Sequence, residues 1–257
     1  MIHHTAIIES RVKLGKNVSV GPYTILRGDL AVGDDTVIDS HTLVEGRTTI
    51  GKGCRIGSFT AIGGAPQDMK YKGEDTEVII GDECTIREFV TVNRGTGARM
   101  KTKIGSRVFL MSYVHIAHDC FIGDDVIMAN CATLAGHVTV DDMAIVGGLT
   151  PVHQFVRVGK LSIIGGSSRI TKDVVPFCKV AGNPAQVHGL NVIGLTRWGY
   201  EKSVKDRLKQ AYKIVFRSGV NTSQALKKIE SEVCFDCESV RDFSEFIGGS
   251  RRGICKN

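Results

Sequence analysis

Half of the eight histidines in the chain lie between positions 115 and 153, and this stretch is the first candidate for a functional site. The four are His115, His118, His137 and His153. Asp119 directly follows the second of them, Gly136 directly precedes the third, and Gln154 directly follows the fourth. Histidine has an ordinary pKa near neutral pH and serves as a proton acceptor, a proton donor or a metal ligand. The stretch therefore predicts acid–base or metal chemistry.

A histidine beside an aspartate, with a glycine N–H close by, is the arrangement that acyl transfer needs. His118 could take a proton from a hydroxyl group, and the Gly136 N–H could donate to a tetrahedral oxyanion. A general base contributes about 10²- to 10⁴-fold in rate, and one oxyanion donor about 10²- to 10³-fold. Two alternatives stay open on spacing alone. Three histidines from neighbouring chains of a trimer could bind zinc with water as the fourth ligand, or surface histidines could have no role.

A repeat of six residues must position these side chains. A large apolar residue returns at every sixth position from Ile2 to Ile170, with exceptions only at Asp68, Glu74 and Ala98. Glycine often follows it, as suits the conformation of a turn, and a column of small or β-branched residues comes four positions after it. A period of six fits neither a helix nor an alternating strand. Each hexad predicts a strand and a turn, and three hexads predict one coil of a parallel β-helix, a triangular prism.

The repeat also predicts which residues lie above one another. Strands of successive coils stack about 4.8 Å apart, so residues separated by one 18-residue coil share an edge. His118, Gly136 and Gln154 have this spacing and should stack, with His137 and His153 beside them. His115 stands between two inward-pointing positions and should point outward.

The repeat has two interruptions, at 63–79 and 94–103, and it resumes after each in the same register. We predict loops that leave the prism at its turns. Loops on a rigid scaffold often carry function, although an insertion without a role is equally expected.

Beyond residue 170 the repeat ends and helical spacing follows. We predict a β-helix domain over 1–187 and a C-terminal α-helical domain over 188–257. Three helices are expected there: 208–216 with Gly219 as C-cap, a helix capped by Asn221 or Thr222 that runs through 229, and 240–247.

The composition is that of an ordinary globular protein, with 42% apolar and 23% charged residues. No apolar run is long enough to span a membrane and no signal-peptide pattern is present, so the cytoplasm is the expected location. The net charge of +6 suits an acidic partner, but no basic-aromatic pattern predicts nucleic-acid binding. Cys234 and Cys237 form a CxxC without a second pair, which we interpret as structural.

Short runs around the histidines resemble a known family. They read HIAHDC at 115–120, LAGH at 134–137 and VHQF at 152–155. Further runs are QDMKY at 67–71, IRE at 86–88, YK at 212–213 and RSG at 217–219. Together they resemble the UDP-N-acetylglucosamine acyltransferases of lipid A biosynthesis over nearly the full length. The motifs are specific to that family rather than to hexapeptide-repeat proteins in general.

The resemblance implies a left-handed coil, a cytoplasmic homotrimer and a defined reaction. A 3-hydroxyacyl chain would pass from acyl carrier protein to the 3-hydroxyl of UDP-N-acetylglucosamine. No cofactor, metal, nucleic acid or stable membrane insertion is expected. Four residues depart from the family's pattern: Asn93, Pro184, Ile193 and Trp198.

The resemblance also implies roles for individual residues. His118 would be the general base, Asp119 would orient it, and the Gly136 N–H would hold the oxyanion. Six residues would line a cleft between two subunits: Asp68, Lys70, His115, His137, His153 and Gln154. Asn191 and Arg197 would hold the uracil and phosphates, and Gly166 would leave the acyl channel open for longer chains. N-acyl transfer to an amino-sugar nucleotide and a trimeric zinc hydrase remain the alternative functions.

Overall fold

A computed structural model describes residues 1–233 and 236–256. Cys234 of the predicted CxxC lies outside the described residues. In chain order the strands are β1 (Ile7–Ile8), β2 (Lys13–Leu14), β3 (Ser19–Val20), β4 (Ile25–Leu26), β5 (Leu30–Val32), β6 (Val37–Ile38), β7 (Leu43–Val44), β8 (Arg47–Ile50), β9 (Arg55–Ile56), β10 (Ala61–Gly64), β11 (Glu77–Ile80), β12 (Thr85–Ile86), β13 (Thr91–Asn93), β14 (Lys101–Ile104), β15 (Phe109–Leu110), β16 (His115–Ile116), β17 (Phe121–Ile122), β18 (Ile127–Met128), β19 (Thr133–Leu134), β20 (Thr139–Val140), β21 (Ile145–Val146), β22 (Pro151–Val152), β23 (Arg157–Val158), β24 (Ile163–Ile164), β25 (Cys178–Ala181) and β26 (Gln186–Leu190).

These strands form three sheets, because each coil contributes one strand to each sheet. The first sheet runs from β1 through every third strand to β22, the second from β2 to β23, and the third from β3 to β24 and on to β25 and β26. Within the prism, sheet neighbours pair in parallel, as His115 does with Thr133 one coil later. The product is a left-handed parallel β-helix, which confirms the predicted fold class.

Three corners join the sheets, and each has its own character. The corner between the first and second sheets, here called the histidine corner, includes residues 117–120, 135–138 and 153–156. The corner between the third and first sheets, here called the aromatic corner, includes residues 57–60, 87–90 and 111–114. The third corner lies between the second and third sheets and includes residues 141–144.

Two inward columns fill the prism, as the repeat predicts. Leu26, Val44 and Ile116 of the large apolar column are at most 1% exposed. Several threonines of the small column are buried without losing hydrogen bonds, because the hydroxyl donates to a carbonyl of the next coil. The distance from Thr24 Oγ1 to the Asp39 carbonyl oxygen, for example, is 2.7 Å. A β-branched polar residue can therefore stand in the core at little cost.

The glycine column has a different cause from the one that the sequence suggested. A Cβ on Gly33 would lie 2.6 Å from the Gly51 carbonyl carbon, so glycine is needed where successive coils approach each other. The left-handed backbone of the turns occurs two residues later, mostly on residues that are not glycine, such as Asp35 with φ of 57°. The prediction that these glycines serve the turn conformation is corrected accordingly.

Both interruptions leave the prism at the histidine corner, and both are shorter than predicted. The first loop covers 65–76, because β10 continues to Gly64 and β11 already begins at Glu77. The second loop covers 94–100, because β14 begins at Lys101. Backbone pairing with neighbouring coils extends the strands into the predicted loops.

The end of the prism also differs from the predicted boundary at 187/188. β26 covers Gln186–Leu190 and pairs antiparallel with β25, so the sheet continues past that boundary. Four helices follow among the described residues: α1 (Val192–Arg197), α2 (Lys202–Arg217), α3 (Thr222–Glu232) and α4 (Glu238–Gly248). The three predicted helices are confirmed, with Asn221 as the N-cap of α3, but α2 begins at Lys202 instead of 208 and its C-cap is Ser218 instead of Gly219. Helix α1 was not predicted, because only Leu195 of its six residues is buried.

The C-terminal segment returns to the prism. Asp173 is 1% exposed and accepts a hydrogen bond from Ser250 Oγ at 2.7 Å, while its carbonyl accepts one from the Cys255 N–H. The Arg157 guanidinium stacks 4.1 Å from the Phe246 ring centroid and ties α4 to the second sheet. Across the part of the chain that the structure describes, every helix is too short or too polar to cross a membrane.

Candidate active site

A histidine–aspartate pair lies at the histidine corner, in the turn between β16 and β17. His118 Nδ1 is 2.8 Å from Asp119 Oδ2, and the Asp119 side chain is fully buried. The left-handed backbone of Asp119, with φ of 60°, turns its carboxylate inward under the corner. A carboxylate at Nδ1 favours the proton on that nitrogen and leaves the Nε2 lone pair free. His118 can therefore accept a proton at Nε2.

The Asp119 carboxylate is held in its charged form. Burial alone would raise its pKa, but hydrogen bonds from Thr96 and His118 outweigh burial and lower the pKa below the usual range. The Thr96 hydroxyl donates at 2.6 Å and the Thr96 N–H at 3.1 Å, and the Arg99 N–H donates at 3.2 Å. A buried, negatively charged carboxylate stabilises the imidazolium that forms when His118 takes a proton.

Gly136 packs directly against the His118 ring from the next coil. A Cβ at this position would lie 2.5 Å from His118 Cε1 and 2.6 Å from Nε2, so the contact requires glycine. Neighbouring corner amides are bonded: His137 N–H donates to the His118 carbonyl at 3.0 Å, and Phe155 N–H to the Gly136 carbonyl at 3.2 Å. Among the described residues, the Gly136 N–H has no such acceptor. It is available to an oxyanion beside Nε2.

His137 completes the buried part of the site. Its ring meets the His118 ring edge-on at 5.1 Å and stacks on Phe155 at 4.6 Å. Its Nε2 is 3.7 Å from Asp119 Oδ2. Burial lowers the pKa of His137, while the negative charges of Asp119 and Asp68 act in the opposite direction. The lowered pKa favours the neutral imidazole, which can both donate and accept a hydrogen bond toward a ligand.

The remaining predicted residues of this corner face outward. His115 lies on β16, half-buried, with Nδ1 2.7 Å from Thr91 Oγ1, and burial followed by the charge of His118 lowers its pKa. His153 and Gln154 are exposed one coil above Gly136. The predicted stacking of His118, Gly136 and Gln154 on one edge is confirmed by the register of the sheets.

The first loop brings Asp68 and Lys70 to the same corner. Asp68 Oδ1 accepts a hydrogen bond from the Lys70 N–H at 2.9 Å, and the Lys70 side chain is exposed. Arg94 braces the two loops, since its Nε donates to the Tyr71 hydroxyl at 3.0 Å and its Nη1 to the Gly63 carbonyl at 2.8 Å. Asn93 donates to the Ala65 carbonyl at 2.9 Å and holds the start of the first loop.

Three predicted residues lie away from this corner within one chain. Gly166 follows β24 and is exposed at the aromatic corner. Asn191 is 2% exposed; its Oδ1 accepts from the Gly194 N–H at 3.0 Å and its Nδ2 donates to the Leu161 carbonyl at 2.9 Å. Its side chain thus caps α1, and the expected uracil contact stays a prediction that would require these bonds to change. Arg197 ends α1 and is exposed.

The structure adds two features to the predicted site. Thr96 and Arg99 of the second loop contact Asp119, although the repeat marked this loop only as an interruption. The atoms of His118, Asp119 and His137 lie within 4.8 Å of one another, close enough for a metal ion. Asp119 Oδ2 is already bonded to Thr96 and His118, so a metal would have to displace existing hydrogen bonds.

Matches to family models agree with this description. Residues 173–255 match the model described as Udp N-acetylglucosamine O-acyltransferase, Domain 2, and residues 101–136 match Bacterial transferase hexapeptide (six repeats). Together with the histidine–aspartate pair and the free glycine N–H, they define an acyltransferase of the hexapeptide-repeat class.

Full-length relatives narrow the class further. Curated proteins named acyl-acyl-carrier-protein–UDP-N-acetylglucosamine O-acyltransferase include one from Anaeromyxobacter dehalogenans, 46% identical with 99% of each chain covered. One from Campylobacter concisus is 43% identical over 98% of this chain and 96% of that protein. The UDP-N-acetylglucosamine acyltransferase structure from Campylobacter jejuni is 40% identical, with a TM-score of 0.93 over 100% of both chains. That from Bacteroides fragilis is 38% identical, with a TM-score of 0.96 over 99% of both. The chain belongs to the UDP-N-acetylglucosamine O-acyltransferase family.

Proposed function

We propose that this enzyme transfers a 3-hydroxyacyl chain from acyl carrier protein to the 3-hydroxyl of UDP-N-acetylglucosamine, the first step of lipid A biosynthesis. The observation that carries the proposal is the pairing of a carboxylate-bound His118 with an unoccupied Gly136 N–H against the same ring. The full-length relatives bear the name of this reaction. Base and oxyanion donor are the two groups that direct acyl transfer to a hydroxyl requires.

The reaction proceeds in two steps on one face of the His118 ring. His118 Nε2 takes the proton of the sugar hydroxyl while its oxygen forms a bond to the thioester carbonyl carbon. The carbonyl oxygen becomes an oxyanion and accepts a hydrogen bond from the Gly136 N–H. The intermediate then collapses, the carbon–sulfur bond breaks, and the departing thiolate takes the proton back from His118. The enzyme ends in its starting state, and the products are an ester and a thiol.

Asp119 supports both steps as a charged carboxylate and does not itself take up a proton. Its pKa is lowered, so it stays charged at neutral pH and stabilises the imidazolium form of His118. His115, His137, His153 and Gln154 would line the sugar and acyl groups around this ring. Asp68 and Lys70, on the first loop at the same corner, would contact the sugar and the donor.

We propose a parallel homotrimer in which a second subunit completes the cleft. Gly166 lies at the aromatic corner, and Asn191 and Arg197 follow the third sheet, so one prism cannot bring them to its own histidine corner. A neighbouring prism set side by side can present them. Gly166 would leave room for a long acyl chain, and Arg197 offers an exposed cation to the nucleotide phosphates.

The proposed substrates also support a cytoplasmic location, because acyl carrier protein and nucleotide sugars are cytoplasmic molecules. The net charge of +6 would attract an acidic carrier protein. Neither nucleic acid nor stable membrane insertion enters the proposal.

One assay tests the function directly. The protein is incubated with UDP-N-acetylglucosamine and a series of 3-hydroxyacyl carrier proteins of different length, and the product masses are read. We expect one acyl group added to the intact nucleotide sugar, as an ester that mild alkali cleaves. In a parallel incubation with an amino-sugar nucleotide, an alkali-resistant amide formed while UDP-N-acetylglucosamine gives no ester would contradict the O-transfer. Transfer that needs stoichiometric zinc would instead favour a metal mechanism.

A further inference from the structure

The second loop covers the carboxylate of the histidine–aspartate pair. It leaves the first sheet at Asn93, rejoins the second sheet at Lys101, and folds Thr96 inward until 9% of that residue is exposed. The Arg99 guanidinium donates to the Asp119 carbonyl at 2.9 Å and stacks 4.8 Å from the Phe121 ring centroid. This guanidinium anchors the far end of the loop on the prism.

Thr96 and His118 bind the same carboxylate oxygen. Asp119 Oδ2 is 2.6 Å from Thr96 Oγ1 and 2.8 Å from His118 Nδ1. The other oxygen, Oδ1, accepts the Thr96 and Arg99 N–H groups at 3.1 and 3.2 Å, and the Thr96 N–H also lies 3.2 Å from Oδ2. Backbone donors therefore hold mainly Oδ1, and the shortest hydrogen bond from the loop to Oδ2 is that of the threonine hydroxyl.

Asp119 Oδ2 has a second histidine within reach. His137 Nε2 is 3.7 Å away, too far for a hydrogen bond but close enough for a small rotation of the carboxylate to bring the two together. A carboxylate that turned toward His137 would leave His118 Nδ1 without its acceptor. Charged hydrogen bonds are short and directional. A hydroxyl donor at a fixed position therefore determines which of the two imidazoles the Asp119 carboxylate binds.

We propose that Thr96 is a positioning residue for acyl transfer: its hydroxyl fixes the Asp119 carboxylate toward His118, so that Nδ1 carries the proton and Nε2 faces the substrate. Thr96 touches neither substrate and acts only through Asp119. The inference rests on the proposed role of His118 as the base.

The main test replaces the hydroxyl by a methyl group of similar shape. In Thr96→Val we expect kcat to fall about tenfold, the loss of one oriented hydrogen bond, with KM for both substrates within about twofold. Thr96→Ser keeps the hydroxyl and should restore kcat to within about threefold of the parent. If kcat of Thr96→Val is within twofold of the parent value, the proposal is overturned.

A second measurement asks whether the effect passes through the carboxylate. In the Asp119→Ala background, Thr96→Val should change kcat by less than about twofold, because the group it positions is gone. An equal loss in both backgrounds means a general structural role and overturns the proposal. If Thr96→Val does not fold, Thr96→Ser and Thr96→Ala are compared instead, and equal kcat values for those two overturn it.

The matched control is Thr36→Val in a lower coil. Thr36 is fully buried, and its hydroxyl donates to the Gly51 carbonyl at 2.9 Å, far from the histidine corner. This variant should lower the melting temperature and leave kcat unchanged. An inactive His118→Ala beside an unaffected Thr96→Val would reject this inference alone, whereas an active His118→Ala would reject the proposed function.

Discussion

The histidine corner and the aromatic corner have the same backbone and carry opposite side chains. Tyr113 and Asp119 both occupy the left-handed turn position, with φ of 65° and 60°. Tyr113 is 57% exposed and ends a ladder of stacked rings that begins at Tyr23. Asp119 is fully buried, and its carboxylate accepts hydrogen bonds from neighbouring donors such as Thr96. The coil provides position alone, and the chemistry depends on what covers the corner.

The two loops make the difference between the corners. Both leave the prism at the histidine corner, whereas at the aromatic corner the coils of residues 21–24, 39–42 and 57–60 follow each other without insertion. A loop over a turn removes water and adds donors, which turns an exposed carboxylate into a buried, charged one. A bare turn can only stack its side chains.

The largest expected effect comes from removing the base. His118→Ala should lower kcat about 10³-fold, within the range of a general base, while the melting temperature of the protein stays unchanged. The control is His41→Ala at the aromatic corner, whose ring stacks on Phe59 at 4.8 Å and should not contribute to the reaction. Rates are measured with acyl carrier protein as donor. Near-parental transfer by well-folded His118→Ala would falsify the base assignment.

A smaller loss of kcat is expected from a substitution at Gly136, which packs against the His118 ring from the next coil. In Gly136→Ala the new methyl group would lie 2.5 Å from His118 Cε1, so the ring or the oxyanion donor must move. We expect kcat to fall about 10²-fold with little change in KM. Gly248→Ala in α4 is the control, since its Cβ would meet Leu226 Cδ1 at an ordinary 3.6 Å. Equal activity of both glycine variants would rule out the oxyanion assignment.

In the lower coils of the aromatic corner, away from Gly166, a substitution should affect stability alone. Phe59 stacks between His41 and Phe89, with centroid distances of 4.8 and 5.1 Å. Phe59→Ala should lower the free energy of unfolding by about 1.5 kcal/mol and leave kcat within about twofold. Phe59→Leu, which keeps much of the apolar area, should lose less. Chemical denaturation measures the first effect, and a large loss of kcat would contradict the separation of the two corners.

The third corner offers the opposite carboxylate to Asp119. Burial raises the pKa of Asp141 to about 6, Asp142 and Asp242 add to the rise, and Arg157 and Lys160 oppose it. Since the folded protein binds this proton more tightly, stability from this group is gained as the pH falls through about 6 and is absent at neutral pH. Asp141→Asn should therefore stabilise the protein by about 1 kcal/mol at pH 7.5, a value discounted for partial exposure.

The same substitution should have little effect near pH 4, where the parent carboxyl is protonated. Asp119→Asn should behave in the opposite way. The pKa of Asp119 is lowered, so its contribution is present above about pH 4 and is lost only at lower pH. Melting temperatures of both variants across this range check the signs. A stabilising Asp119→Asn at pH 7.5 would contradict the hydrogen-bond network around it.

Most of the fold could be predicted, because one periodic column determines which residues face inward. The same column placed His118 below Gly136. It could not predict Thr96, since the loop that carries Thr96 lies outside the repeat and its path depends on tertiary contacts with Asp119. Short α1 was missed for a related reason, because one buried residue leaves no periodic pattern. The strand ends at Gly64 and Lys101 follow from pairing between coils, which local sequence does not report.

The strand pairing across the two loops keeps the six-residue register of the prism. Ile80 pairs with Ile50 and Ile104 with Ile80, so the inserted residues are skipped and the inward column continues unchanged. One residue added inside a coil would turn the next strand's inward side chains outward and halt the stack. Residues added within 65–76 or 94–100 would not change the pairing register of the strands. The histidine corner is thus the place where the length of this chain can change, outside the loop residues that contact Asp119, while every coil above it keeps its register.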